Sequence, residues 1–318
     1  MTNATKGSVE VRGNLQSAYD DVFTPAAMRA LEVLAPFDDD CKAVMAVRID
    51  RRAARARDRT PLAFLAPDSL IPRTNITVQD ARDGRFIGSE IPPDLQRQWI
   101  QGTGPAARPN APVEVSIRNI AYALLSGADG WMFDGEDALG QVQTMSLDNQ
   151  RNLRLAIERA PIFMKIAEQV ALEMNDWAQG FFGRAIIQDW KRQLDFTTKI
   201  FRARGLHLDD RHVRRRDGRG FSASIVDLVL YLVNNHARLQ STGASLALYL
   251  PKIQTAEEAA VWNDIIAALE SHLGIADGSV KVYVLVEQLE ACFQLMEIRA
   301  GECGGHRDAA HEAGRSSS

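Results

Sequence analysis

Residues 246–287 read LALYLPKIQTAEEAAVWNDIIAALESHLGIADGSVKVYVLVE. The stretch opens on a short apolar run, Leu246–Leu250, that stops at Pro251-Lys252. Ala259, Trp262, Ile265, Ile266 and Leu269 then recur at helical spacing, which predicts a helix over 256–271. A second apolar run, Val280–Val286, ends at Glu287. Strand, helix, strand with near-continuously apolar strands predicts a parallel sheet buried on both faces.

The alternation extends outward from this stretch. Residues 222–240 read as a helix through Ile225, Leu228, Val229, Leu232 and Val233. Lys199-Ile200-Phe201 reads as a strand ending at Arg202, and Trp131-Met132-Phe133 as a strand ending at Asp134-Gly135-Glu136-Asp137. A helical pattern from Val113 to Leu124 precedes it, and Leu289–Ile298 turns helical at the other end. No Gly-x-Gly-x-x-Gly and no Walker A loop follows any strand, so a dinucleotide sheet and a P-loop lose support and a (β/α) barrel remains. Near the N-terminus, Thr24-Pro25 opens a helix over Ala26–Leu34, as N-cap and first helical residue. Residues 41–58 are helical, with Arg51, Arg52, Arg55 and Arg57 expected on a solvated face. Asp38, Asp39, Asp40, Asp50 and Asp58 flank them and oppose a phosphate patch. Residues 59–113 read as loops and a hairpin, with a short strand near Trp99 and Ile100.

Composition narrows the class. Across 318 residues, 37 Lys and Arg face 41 Asp and Glu, a net charge of −4, which excludes nucleic-acid binding by bulk charge. Cys41, Cys292 and Cys303 are widely spaced and form no CxxC pair, so neither a disulfide framework nor a structural zinc is expected, and a reducing, cytoplasmic setting fits. Met1–Gly13 lacks the apolar core of a secretory signal. The longest apolar run, Ile225–Val233, is broken by Asp227 and falls short of the ~20 residues a bilayer needs, so no membrane is expected. The terminal Arg315-Ser316-Ser317-Ser318 is not the peroxisomal Ser-Lys-Leu address.

Chemistry is expected at the C-terminal strand ends. They carry Asp134, Glu136 and Asp137, then Arg202 with Arg204, then Lys252, then Glu287. Carboxylates there can hold a hard cation such as magnesium, and an arginine beside them can stabilise an oxyanion. Together they suit enolate chemistry. Taken singly, Asp137, Asp148 and Lys252 read first as helix-capping or surface groups. Arg202 and Glu287 resist that reading because each directly ends an apolar strand. His207, His212, His236 and His272 make no metal pattern. Cys292 reads as core, and Asn234-Asn235-His236 as a helix cap.

Several motifs, in order, resemble malate synthase of the shorter type. They are Ile91-Pro92-Pro93-Asp94-Leu95, Gly102-Thr103-Gly104-Pro105, Trp131 to Asp137, Asn149 to Arg154, Arg202-Ala203-Arg204-Gly205-Leu206-His207-Leu208, Ser224 to Asn235, Tyr249-Leu250-Pro251-Lys252, and Leu285-Val286-Glu287 followed by Phe293-Gln294. The resemblance covers roughly residues 40–298. It implies condensation of acetyl-CoA with glyoxylate, hydrolysis to malate and CoA, and a role in the glyoxylate cycle. It further implies that Arg202 stabilises the enolate and Glu287 ligates Mg2+. Glu136 and Asp137 are expected near the metal through bound water, and Lys252 receives no role.

Departures shape the remaining expectations. Residues 160–196 are longer and more helical than the family's hairpin there, and FDGED replaces DFED. From Arg299 to Ser318 the tail matches nothing in the family, and the second metal aspartate and the catalytic-base aspartate have no counterpart; Asp308 does not supply one. The fold class is therefore α/β: an incomplete TIM (β/α) barrel over 91–298, preceded by an N-terminal helical segment over 1–90 and followed by a disordered tail over 299–318. About five of eight strands leave an open edge and uncovered apolar faces, which predicts poor folding or association and no activity from this chain alone. Two alternatives stand beside the malate synthase reading: a malyl-CoA or citrate lyase-type C–C lyase, and a catalytically inactive remnant.

Overall fold

The computed structural model describes residues 7–88, 90–102, 111–137 and 142–302. The Thr103-Gly104-Pro105 motif, Cys303, Asp308 and the tail beyond Glu302 lie outside these residues.

The strands are β1 (Val9–Val11), β2 (Trp99–Gly102), β3 (Gly130–Asp134), β4 (Thr198–Arg202), β5 (Asp209–Arg215), β6 (Gly220–Ser222), β7 (Leu246–Leu250) and β8 (Val280–Val284). Five form one parallel sheet in the order β2-β3-β4-β7-β8, and β1-β5-β6 form a small antiparallel sheet beside it. The principal helices are α1 (Pro25–Leu34), α2 (Phe37–Asp58), α3 (Val113–Leu124), α4 (Met145–Glu158), α5 (Pro161–Phe182), α6 (Trp190–Phe196), α7 (Ala223–Ser241), α8 (Ala256–Leu273) and α9 (Leu295–Glu302). Among the described residues the sheet does not close into a barrel. Thr24 caps α1 by accepting the Ala27 N–H, with Pro25 at the first position. Among the described residues of 59–113, the expected hairpin is reduced to a single antiparallel bridge, Leu70 to Thr77.

Alternation along the strands separates two cores. Phe133, Phe201, Leu246, Leu248 and Leu250 face the helices and join the main cluster with Trp262 and Tyr231. Met132, Ile200, Ala247 and Tyr249 face the concave side, with Trp99 and Tyr283 packed against them. Trp99 on one edge strand meets Tyr283 on the other, ring centroids 5.8 Å apart, and the Tyr283 hydroxyl donates to the Leu95 carbonyl at 2.7 Å. The sheet is thus coiled until its two edges touch through side chains, and an aromatic plug covers the concave face that was expected to lie open. The outer face of β8 stays less covered: Val280, Val282, Val284 and the 47%-exposed Val286 line a groove of about 450 Å³.

Three local expectations are corrected. Arg51 and Arg55 are not a solvated face; Arg51 donates to Gln254 at 3.0 Å and Arg55 pairs with Glu290 at 2.5 Å, docking α2 on the segments that follow β7 and β8. Asn234 is no cap: α7 continues to Ser241, and the Asn234 amide donates to Leu230 and Val22 carbonyls while its oxygen accepts the Thr24 hydroxyl. Cys292 is exposed, not core, because its segment is a short 3-10 turn rather than an α-helix.

Candidate active site

Parallel register carries the strand ends to one place. Asp134 lies opposite Arg202, Arg202 opposite Tyr249, and Tyr249 opposite Tyr283, so these four project into the concave side as one layer. Met132, Ile200 and Ala247 form the apolar layer beneath.

Beyond β3 the chain turns sharply. Asp134 Oδ1 accepts the N–H groups of Glu136 at 2.9 Å and Asp137 at 3.0 Å, an Asx-type turn that points both carboxylates back over the sheet. Gly135 donates its N–H to the Arg202 carbonyl, and a Cβ there would stand 2.6 Å from that oxygen, so the glycine in FDGED is a packing requirement. Glu136 Oε2 accepts the Gly205 N–H at 2.8 Å. Gln101 on β2 donates to Asp134 at 2.7 Å.

Arg202 is 1% exposed. Its guanidinium lies 3.0 Å from Asp134, 2.8 Å from Asp137 and 3.6 Å from Glu287. Burial works against its charge, but Asp134, Asp137 and Glu136 outweigh that and raise its pKa. Lys252, in a left-handed conformation, donates its backbone N–H to Glu287 at 2.9 Å and its ammonium to the same carboxylate at 3.0 Å. The ammonium is also 3.8 Å from Glu136 and 3.7 Å from Asp137. Arg48 of α2 fixes this turn from behind by donating to the Lys252 carbonyl at 2.8 Å while pairing with Glu258.

The strand-end residues Asp134, Glu136, Asp137, Arg202, Lys252 and Glu287 read from the sequence therefore share one cluster. Arg204 does not join them. It turns away into a buried triad with Asp227 and Asp210, at 2.6 Å from each. Asp148 is also remote, accepting the Tyr19 and Thr144 hydroxyls. His207 borders the cluster, and its pKa is lowered by burial and by the charges of Arg48 and Lys252. Sequence reading missed Arg48 and Gln101. Arg48, Arg51 and Arg55 share one helical stripe, and that spacing was the available signal.

Four carboxylates (Asp134, Glu136, Asp137, Glu287) face two cations (Arg202, Lys252), so the cluster is negative. Burial pushes the Glu136 carboxyl up to about 7, against the lowering effect of Arg202, the Gly205 N–H and Lys252. Its Oε1 is buried and accepts no hydrogen bond from the described residues. An all-oxygen donor set with excess negative charge and an unsatisfied acceptor fits a hard divalent cation. As the side chains stand, the Lys252 ammonium occupies the middle of the carboxylates, and no group of three or more His, Cys, Asp or Glu among the described residues is gathered closely enough to hold a metal ion.

Comparison with known proteins bears on this cluster. The family model for the malate synthase TIM barrel domain matches residues 198–302. The chain is similar to a glyoxysomal malate synthase of Brassica napus, 29% identical over 295 residues, which is 91% of this chain and 46% of that protein. It is 30% identical over 291 residues to a malate synthase of Myxococcus xanthus, again 91% of this chain and 46% of that protein. It is 32% identical over 216 residues to a bifunctional glyoxylate cycle protein of Caenorhabditis elegans, covering 19% of that protein. The chain spans about half the length of the malate synthases it matches.

Proposed function

Because this chain belongs to the malate synthase family, we propose that its charged cluster is a malate synthase-type enolate site, acting on acetyl-CoA and glyoxylate. One observation carries the reading: Arg202 is fixed at the last residue of a buried strand and faces Glu287, Asp134 and Asp137 at the C-terminal end of the sheet. Glu287 would hold Mg2+, with Glu136 and Asp137 facing it through water. Bound there, the metal supplies Lewis acidity to the glyoxylate aldehyde. The Arg202 guanidinium stabilises the oxyanion that develops on the acetyl-CoA thioester carbonyl as its methyl proton leaves. Asp134 holds that guanidinium in place and Gln101 steadies Asp134, since Arg202 and Gln101 both donate to Asp134 Oδ2. No residue of this chain is assigned as the base.

The Lys252 ammonium already neutralises Glu287, which favours a second reading, a non-catalytic relative that binds no metal. A lyase of the malyl-CoA or citrate type shares the Arg and Glu chemistry and is separated by product. The scattered cysteines suit a reducing compartment such as the cytoplasm; among the described residues no helix is long and apolar enough to cross a membrane.

Calorimetric titration of MgCl2 with glyoxylate present tests the site. Saturable binding that Glu287→Gln abolishes supports it, and no binding by the unmodified chain supports the non-catalytic reading. CoA-thiol release with acetyl-CoA and glyoxylate then reports whether this chain alone turns over; none is expected. Malyl-CoA hydrolysis to malate, against cleavage to glyoxylate, decides between synthase and lyase.

A further inference from the structure

At the N-terminal ends of the same strands, opposite the charged mouth, a cavity of about 290 Å³ is lined by four cationic side chains, Arg97, Arg159, Lys199 and Arg238. They come from the start of β4, the end of α4, the last turn of α7 and the segment before β2. Two carboxylates share the cavity. Asp195 pairs with Arg159, and Asp94 is taken by the backbone N–H and hydroxyl of Ser245 at 2.9 and 2.7 Å. Arg97 is held by the Phe196 carbonyl and ring. Arg238 has no carboxylate partner among the described residues, and its Nε is buried without a hydrogen bond.

Like charges are not collected in a partly buried space without cost. Burial and the Arg238 charge lower the pKa of Arg159, and burial with the Arg159 charge pushes the Lys199 ammonium down to about 8. Lys199 points its ammonium only at carbonyl oxygens, those of Leu194 and Thr197. Cations exceed carboxylates by two, and one small anion between them would relieve the mutual repulsion. Two guanidinium groups and an ammonium are the donor set for tetrahedral or planar oxyanions. A volume of this size admits such an ion with several waters, each of about 30 Å³.

We propose that this cavity is a binding site for a small oxyanion, phosphate or a short dicarboxylate, held by Arg238, Arg159 and Lys199. It is separate from the enolate site and does not depend on that assignment.

Inorganic phosphate and malonate, titrated in parallel arms at ionic strength fixed with chloride, distinguish the two ligand types, read by calorimetry and by the urea midpoint. At least one anion is expected to bind saturably, and Arg238→Gln is expected to weaken it tenfold or more, while Arg184→Gln, an exposed arginine remote from the cavity, leaves it unchanged. Lys199→Gln serves as the second variant should Arg238→Gln not fold, with the same weakening expected. Absence of saturable binding of both anions to the unmodified chain, or equal affinity in the folded cavity variants, overturns the proposal.

Discussion

Arg204→Met separates a structural arginine from the one proposed to act in the site, two residues away. Arg204 is 1% exposed, and its guanidinium makes a two-point contact with Asp227, 2.9 Å from Nε and 2.6 Å from Nη2, while Nη2 also reaches Asp210 at 2.6 Å. Burial opposes its charge, but Asp227 and Asp210 outweigh it and raise its pKa. Methionine keeps much of the volume and leaves two buried carboxylates without their cation. Breaking a buried pair in this way costs about 3–5 kcal/mol, a large part of a total stability of about 5–15 kcal/mol. With a urea dependence near 3 kcal/mol per molar, the midpoint should fall by roughly 1–2 M. The assay is urea unfolding followed by far-UV circular dichroism. Arg204→Met with Asp227→Leu should regain much of the loss, since replacing a buried pair by apolar groups is often close to neutral. Asp210 keeps the His212 and Val213 N–H groups as partners in that variant. Arg202→Met should cost less, because its partner Asp137 is 54% exposed, Lys252 still faces Glu136 and Glu287, and Asp134 keeps Gln101 and the Glu136 and Asp137 N–H groups as donors. A cost below about 1 kcal/mol for Arg204→Met, or no recovery in the double variant, refutes the reasoning.

Two further outcomes follow from single contacts. Lys199 is lowered from 10.5 to about 8, chiefly by burial. Above pH 8 the folded chain releases this proton while the unfolded chain keeps it, so this group makes stability rise with pH, by roughly 1–2 kcal/mol between pH 8 and 9.5. Lys199→Met should remove that rise, measured as the urea midpoint against pH; an unchanged slope counts against the burial argument. Thr24 both caps α1 and donates to Asn234 at 3.0 Å, so Thr24→Ala should cost about 1–2 kcal/mol in thermal or urea unfolding, and Thr24→Ser well under half of that.

The parallel sheet was legible because its signals are local. An apolar run that stops at a charged residue is visible in five residues, and parallel pairing then brings every such stop to the same end. That logic brings Arg202, Glu287 and the Asp134–Asp137 turn together. It fails for Arg204, which looks identical in sequence. After Arg202 the chain leaves the sheet, and the direction of Arg204 is set by Asp227, 23 residues on, a residue that reads only as an interruption of an apolar run. The α2 arginines fail for the same reason. Glu258, Gln254 and Glu290, which bind Arg48, Arg51 and Arg55, lie more than two hundred residues downstream, so nothing nearby distinguishes a docking stripe from a solvated face. Asn234 broke an apolar pattern and imitated a helix end, yet its amide is satisfied by a carbonyl one turn back and by another from the segment before α1.

The electrostatics of the mouth follow from what lies under it. In a closed barrel the layers of interior side chains come from strands around the full ring. Here five strands supply them, and the open side is filled by Trp99, Tyr249 and Tyr283, whose rings lie 5.5–6.2 Å apart. The layer of Asp134 and Arg202 therefore rests on Met132, Ile200 and Ala247 and is flanked by tyrosine rings, with water excluded from below. With little water beneath it, Arg202 is balanced by three carboxylates, and Glu136, with one N–H donor, is pushed up to about 7 by burial. Among the described residues, Lys252 is the cation that faces the remaining negative charge, on Glu136, Asp137 and Glu287. The same rings that bridge the sheet edges thus hold the curvature of the sheet, and the proposed site depends on Trp99 and Tyr283 as much as on the groups that would carry the chemistry.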